Sequence, residues 1–269
     1  MKKSLSLIIM AFLMIGLLAA CGTSNNEGDT ANGGKSAGKD KKVLIMGTSA
    51  DYPPFEYIDT TKGEEIIGFD VDLAKALAEK LGYDVQVKDM DFSGLISALE
   101  NGQADFVLAG MSPTEERKKN VDFSDVYFTA NHMIVTSKDS GIKTIEDLKG
   151  KTIGVQLGTI QEEKANEIAK TVDMKIENRN RIPELIQEIK AGRFDAAIIE
   201  DTVAKGFFKN NTDLGGFTIE DASAEEAGSA IAFPKDSKLT ADFNKALNEM
   251  IDNGELDKLV VKWFGGDVK

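Results

Sequence analysis

Asp105-Phe106-Val107-Leu108-Ala109-Gly110-Met111-Ser112-Pro113-Thr114-Glu115-Glu116-Arg117 sets the reading of the whole chain. The apolar run Phe106 to Ala109 has the character of a strand buried on both faces, and Gly110 to Thr114 turns it into a short charged helix. Backbone N–H groups at such a helix start lack intrahelical partners and favour an anion. A guanidinium at Arg117 can add a two-pronged grip on a planar carboxylate. Gly110, at the strand exit, lets a ligand approach the main chain, where a carbonyl can accept from an ammonium. The turn is thus equipped for both ends of an α-amino acid head. Taken alone, the segment also fits a plain helix start with surface charges.

The same grammar recurs further along. Leu95-Ile96, Gly102 and Asp105 precede the strand at Phe106, and Leu185-Ile186, Gly192 and Asp195 precede an apolar run from Ala196 to Ile199 with the same offsets. Leu44-Ile45-Met46-Gly47-Thr48 is likewise echoed by Ile153-Gly154-Val155-Gln156-Leu157-Gly158-Thr159. Strand, Gly-Thr, helix, strand therefore occurs twice. Such alternation builds parallel sheets with ligands at the carboxyl ends of strands, so two α/β lobes facing each other across a cleft are expected.

Between these landmarks, Pro53-Pro54 stiffens the loop that holds Tyr52 and Phe55 beside the first strand's end. Asp70 is placed to cap a helix bearing Val71, Leu73, Ala74, Leu77, Ala78 and Leu81, stopped at Gly82, and Ser93 to cap the next. Thr144 opens a short helix, Thr159-Ile160-Gln161-Glu162 matches a capping box, and Pro183 suits a first helical turn. After a buried strand over Ser229 to Phe233 come two amphipathic helices. One carries Leu239, Phe243, Ala246, Leu247, Met250 and Ile251; the other carries Leu256, Leu259, Val260, Trp263 and Phe264. Trp263 is assigned to the core.

Composition narrows the function. The 269 residues are 42% hydrophobic, enough for one large or two modest cores, and the net charge of −13 would repel a nucleic acid. A single His132 and a single Cys21 leave no usual zinc cluster and no internal disulfide, and no cofactor is expected. Residues 1–20 have the build of a signal peptide, with Lys2 and Lys3 before the apolar stretch Leu5 to Leu18. Leu18-Ala19-Ala20-Cys21 resembles a lipobox, which implies cleavage before Cys21 and a lipid anchor on its thiol. Residues 21–42, poor in apolar side chains, form a flexible tether, so the fold begins near Val43 on the outer side of the membrane.

With these residues in view, the chain resembles the polar amino acid binding proteins of ABC importers, solute-binding protein family 3. Gly47 to Phe55, Gly68-Phe69-Asp70, Ala109 to Arg117, Val121-Asp122-Phe123-Ser124, Leu148-Lys149-Gly150-Lys151 and Gly154 to Thr159 carry the likeness. Glu200 to Gly206 and Glu225 to Phe233 draw it nearest to arginine-binding lipoproteins of Gram-positive bacteria. The resemblance implies a type II periplasmic-binding-protein-like α/β fold, two lobes joined by two crossover strands. Lobe 1 would be 43–130 and 228–269, and lobe 2 would be 131–227. The chain would cross near Phe128 to Met133 and return near Glu226 to Ala230.

Carried over position by position, Arg117 grips the ligand carboxylate with Ser112 and Thr159, while Gly110 and Glu200 meet the α-ammonium. Tyr52 and Phe92 sandwich the ligand side chain, with Gln161 at the cleft edge and Ser49, Ala109, Met111 and Gln156 completing the lining. Two departures stand out. Ser49 occupies a position where several basic amino acid binders place an aspartate, so Asp70 and Asp51 are the candidates for a distal charge. Glu200 replaces the usual aspartate. The implied protein is a lipid-anchored, monomeric receptor outside the cell membrane. It is not an enzyme, and it passes L-arginine, or lysine, ornithine or histidine, to an ABC permease and its ATPase. Glutamine or another polar amino acid is the alternative ligand. A cyclohexadienyl or arogenate dehydratase is the alternative on the same fold, with Glu200 as its acid.

Overall fold

The computed structural model describes residues 41–61, 63–219 and 228–265. The expected leader, Cys21, most of the tether and the return crossing at Glu226 lie outside these residues. The chain opens on β1 (Lys42–Thr48), followed by a three-stranded ribbon of β2 (Asp51–Tyr52), β3 (Glu56–Asp59) and β4 (Glu65–Ile67). Next come α1 (Phe69–Lys80), β5 (Tyr83–Asp89), α2 (Leu95–Glu100), β6 (Phe106–Val107), α3 (Glu115–Lys118) and the long β7 (Val121–Thr129). At Ala130 and Asn131 the chain leaves for β8 (His132–Ser137), β9 (Thr152–Gln156), α4 (Ile160–Ile168), β10 (Lys175–Arg179) and α5 (Ile182–Lys190). It continues through β11 (Ala196–Glu200), α6 (Asp201–Phe208) and β12 (Leu214–Thr218), and β13 (Gly228–Pro234), α7 (Lys238–Asp252) and α8 (Glu255–Phe264) follow.

Two five-stranded sheets result, ordered β5-β1-β6-β13-β7 and β10-β9-β11-β8-β12. Each has three parallel strands on one side and two strands joined antiparallel on the other, because each is seeded by a βαβαβ unit. The sequence repeat has a physical basis here. Asp105 exchanges its N–H and a carboxylate oxygen with the main chain of Ile45, and Asp195 does the same with Thr152. Both aspartates fix the entry of a third strand beside the first, pairing Gly47 with Val107 and Gly154 with Ala197.

Those glycines admit side chains from the covering helices and turns. A Cβ on Gly154 would fall 2.4 Å from the Phe194 ring and 3.0 Å from Leu185. Gly154→Ala is therefore expected to cost about 1–3 kcal/mol through overpacking, read as a lowered denaturation midpoint. An unchanged midpoint would show that Phe194 yields freely.

The core beneath the first sheet is aromatic. Phe55, Phe69, Phe128 and Phe264 meet with centroids 4.4–6.1 Å apart, which ties α8 to the loop carrying Tyr52. Trp263 is half-buried against Tyr57 and donates its indole N–H to Asp72. Two capping expectations fail. Gly68 precedes α1, and the Asp70 carboxylate turns inward to accept from Gly110 N–H and Tyr127 O–H. Phe92 to Gly94 form a 3₁₀ turn preceded by Asp91, so Ser93 caps nothing. The expected strand Phe106 to Ala109 is buried throughout, yet only Phe106 and Val107 join the sheet before the chain bends toward Gly110.

Candidate functional site

The carboxyl ends of β1 and β6 in one lobe face those of β9 and β11 in the other, around a narrow cleft. β1 delivers Ser49, whose hydroxyl donates to Asp51, and the following loop delivers Tyr52. Gly110 sits at φ 56°, and a Cβ there would come within 3.1 Å of the Tyr52 ring, so ring and main chain share one wall. Ala109 and Ser112 line the same wall.

Arg117 lies in the single turn of α3, capped by Thr114. Its side chain is buried, donating to the Ser112 carbonyl at 2.8 Å and across the lobes to the Gly158 carbonyl at 2.9 Å. The guanidinium stacks over Phe92 at 5.3 Å. It makes no ion pair with any described residue, and burial lowers its pKa to about 10. A buried cation whose hydrogen bonds go only to carbonyls, with Glu163 acting on it through charge alone, has capacity for an anion.

The second lobe presents the first turn of α4 to the same space. Thr159 caps it, accepting from Glu162 N–H and donating to the Gln156 carbonyl, while Ile160 and Gln161 line the cleft. The expected capping box is displaced by one residue, since the Glu162 carboxylate accepts from Gly158 N–H. Gln156 donates to Asp51 and to the Asn180 carbonyl. At the end of β11, Glu200 is buried and accepts from Tyr52 O–H across the lobes and from Thr202. Burial, despite these hydrogen bonds, raises its pKa to about 8.

Asp70 and Met111 do not line the cleft. Asp70 is fully buried behind Gly110, and Met111 packs in the core with its carbonyl accepting from Ala230. Glu56 and Asp51 do line it. Asp51 accepts from Ile182 N–H at 2.6 Å, so this carboxylate joins the lobes. Around it, Arg181 pairs with Asp89 and Asp91, and Asn180 also donates to Asp91. Sequence reading missed Glu56 and Arg181. The signal for Glu56 was a lone carboxylate following the Pro-Pro-Phe loop, where the chain must turn inward.

The chain belongs to the bacterial extracellular solute-binding proteins of family 3, whose profile matches residues 44–266. The chain is accordingly a solute-binding transport protein rather than an enzyme. Among curated relatives it is 62% identical over 267 residues to the arginine-binding extracellular protein ArtP of Bacillus subtilis (strain 168). That alignment covers 99% of this chain and 100% of the relative. Two solved structures, an ancestral arginine-binding protein bound to arginine and one bound to glutamine, are each 43% identical with a TM-score of 0.77. They cover 84% of this chain and 100% and 99% of their own.

Proposed function

We propose that this chain captures a basic L-amino acid, L-arginine first, outside the cell membrane and hands it to an ABC permease and its ATPase. One observation carries the reading: a buried guanidinium that pairs with no carboxylate among the described residues, facing a helix N-terminus from the other lobe. In this reading Arg117, Ser112 and Thr159 take the ligand carboxylate, and Glu200 with the Gly110 carbonyl takes the α-ammonium. Tyr52 and Phe92 flank the stem and planar end, where stacking and cation–π attraction contribute ~0.5–2 kcal/mol. Lipidation at Cys21 would hold the receptor at the membrane while lobes 43–130 plus 228–269 and 131–227 open and close.

Titration calorimetry tests the ligand. L-Arginine is expected to bind at micromolar affinity or better, about −8 kcal/mol. No heat with any L-amino acid would reject the proposal. Closure has its own prediction. Arg181→Ala removes the pairs with Asp89 and Asp91, so scattering should show a larger radius of gyration without ligand. Arginine affinity should fall about twofold to fivefold. Unchanged values for both would make that pairing incidental to closure.

A further inference from the structure

Three carboxyl groups line the cleft, and two are already engaged. Asp51 accepts from Ser49, Gln156 and Ile182, and Glu200 from Tyr52 and Thr202. Glu56, the first residue of β3, is fully buried, yet no N–H or O–H of another described residue donates to either of its oxygens. Behind it stands Asp70. Gly110 N–H and Tyr127 O–H hold one Asp70 oxygen at 2.9 and 2.8 Å, and the other has no such partner. The two carboxyl groups lie within hydrogen-bonding reach of each other.

The titratable described residues that act most strongly on Glu56 are all acids, Asp70 on α1, Asp51 on β2 and Glu200 at the end of β11, and Glu56 in turn acts on the phenols Tyr52 on β2 and Tyr127 on β7. Glu56 forms no ion pair with a described residue. Burying an unpaired carboxylate is costly, so a carboxyl left this way either keeps a proton or meets a cation from outside the chain. Burial and the neighbouring Asp70 hold its pKa well above the usual carboxylate range.

We infer that Glu56, backed by Asp70, receives the distal cation of the ligand and gives up the proton the pair shares, so that the preference for a cationic over a neutral side chain rises with pH. This deepens the amino acid reading of the cleft and rests on it. The step balances simply: the Glu56 O–H bond breaks, the proton leaves to solvent, and the carboxylate pairs with the guanidinium. A neutral urea or amide end has no charge to exchange and binds with the proton retained. Proton release at Glu200 by the α-ammonium is common to both ligand types and cancels in their comparison.

The test uses arginine and citrulline, which share stem length and head group and differ in the charge of the planar end. Calorimetry of the wild-type protein between pH 6 and 8 should give an arginine-to-citrulline affinity ratio that climbs toward tenfold per pH unit. In Glu56→Gln, with its melting transition retained, the ratio should fall at least tenfold at pH 8 and lose its pH dependence. A wild-type ratio flat with pH, or a Glu56→Gln ratio like the wild type's, would overturn the inference while leaving arginine binding intact. Failure of the wild-type protein to bind arginine at any pH would instead overturn the reading of the cleft.

Discussion

Arg117→Ala is expected to cut arginine affinity at least about thirtyfold while the protein stays folded. The guanidinium is buried between the Ser112 and Gly158 carbonyls and stacked on Phe92, so removing it leaves the ligand carboxylate in a low-dielectric cleft without a counter-charge. Truncating one partner of a buried, hydrogen-bonded charge pair costs about 2–5 kcal/mol, roughly thirtyfold to several thousandfold in affinity. Arg117→Lys should recover only part of this, because an ammonium cannot reproduce two parallel hydrogen bonds. The folded state should tolerate Arg117→Ala, since α3 is one short turn and keeps its Thr114 cap. Calorimetry with circular dichroism as the folding control checks both points, and wild-type affinity in Arg117→Ala would move the site elsewhere.

The second large effect is on stability. Burial raises Glu200 from 4.5 to about 8 and Asp70 from 3.8 to about 6, and raises Glu56 well above its ordinary value. For carboxyl groups with raised folded-state pKa values, the folded protein holds more protons than the unfolded chain between the two values. Stability is therefore full below pH ~4 and declines as pH rises toward 8. Carboxylates with lowered pKa values, such as Asp122 beside Lys235, act in the opposite sense only at more acid pH. Glu200 alone accounts for a loss on the order of 3 kcal/mol from pH 5 to 8, a fall of roughly 5–15 °C in melting temperature for a protein this size, and Asp70 and Glu56 add to it in the same sense. Saturating arginine should flatten the slope, because an ammonium at Glu200 favours its ionised form in the folded state. Melting curves across pH, with and without arginine, check this; a Tm that rises over that range would contradict it.

Much of the architecture was legible because it follows from local rules. The apolar runs at Leu44, Phe106, Ile153 and Ala196 read as buried strands, two of them entered directly from an aspartate. The twin aspartates at 105 and 195 are the joints of the two parallel units. Helix starts were legible where a hydroxyl was free to cap, as at Thr114 and Thr159, and illegible where tertiary contacts outbid the cap. Asp70 looked like a cap, but its carboxylate turns to the Gly110 amide, reached only when α1 packs beside the exit of β6. Arg117 could be placed in sequence because its turn is local. Asp51 and Arg181 meet their partners across the lobes, Ile182 for the first and Asp89 and Asp91 for the second, and no local pattern announces partners so distant in sequence.

A structure of the protein crystallised with L-arginine tests the account most directly. It should show the ligand carboxylate within about 3 Å of the Arg117 guanidinium and Thr159 amide. The α-ammonium should lie at Glu200 and the Gly110 carbonyl, and the guanidinium between Tyr52 and Phe92. Arginine bound outside this cleft, or bound with Arg117 turned to solvent, would contradict it.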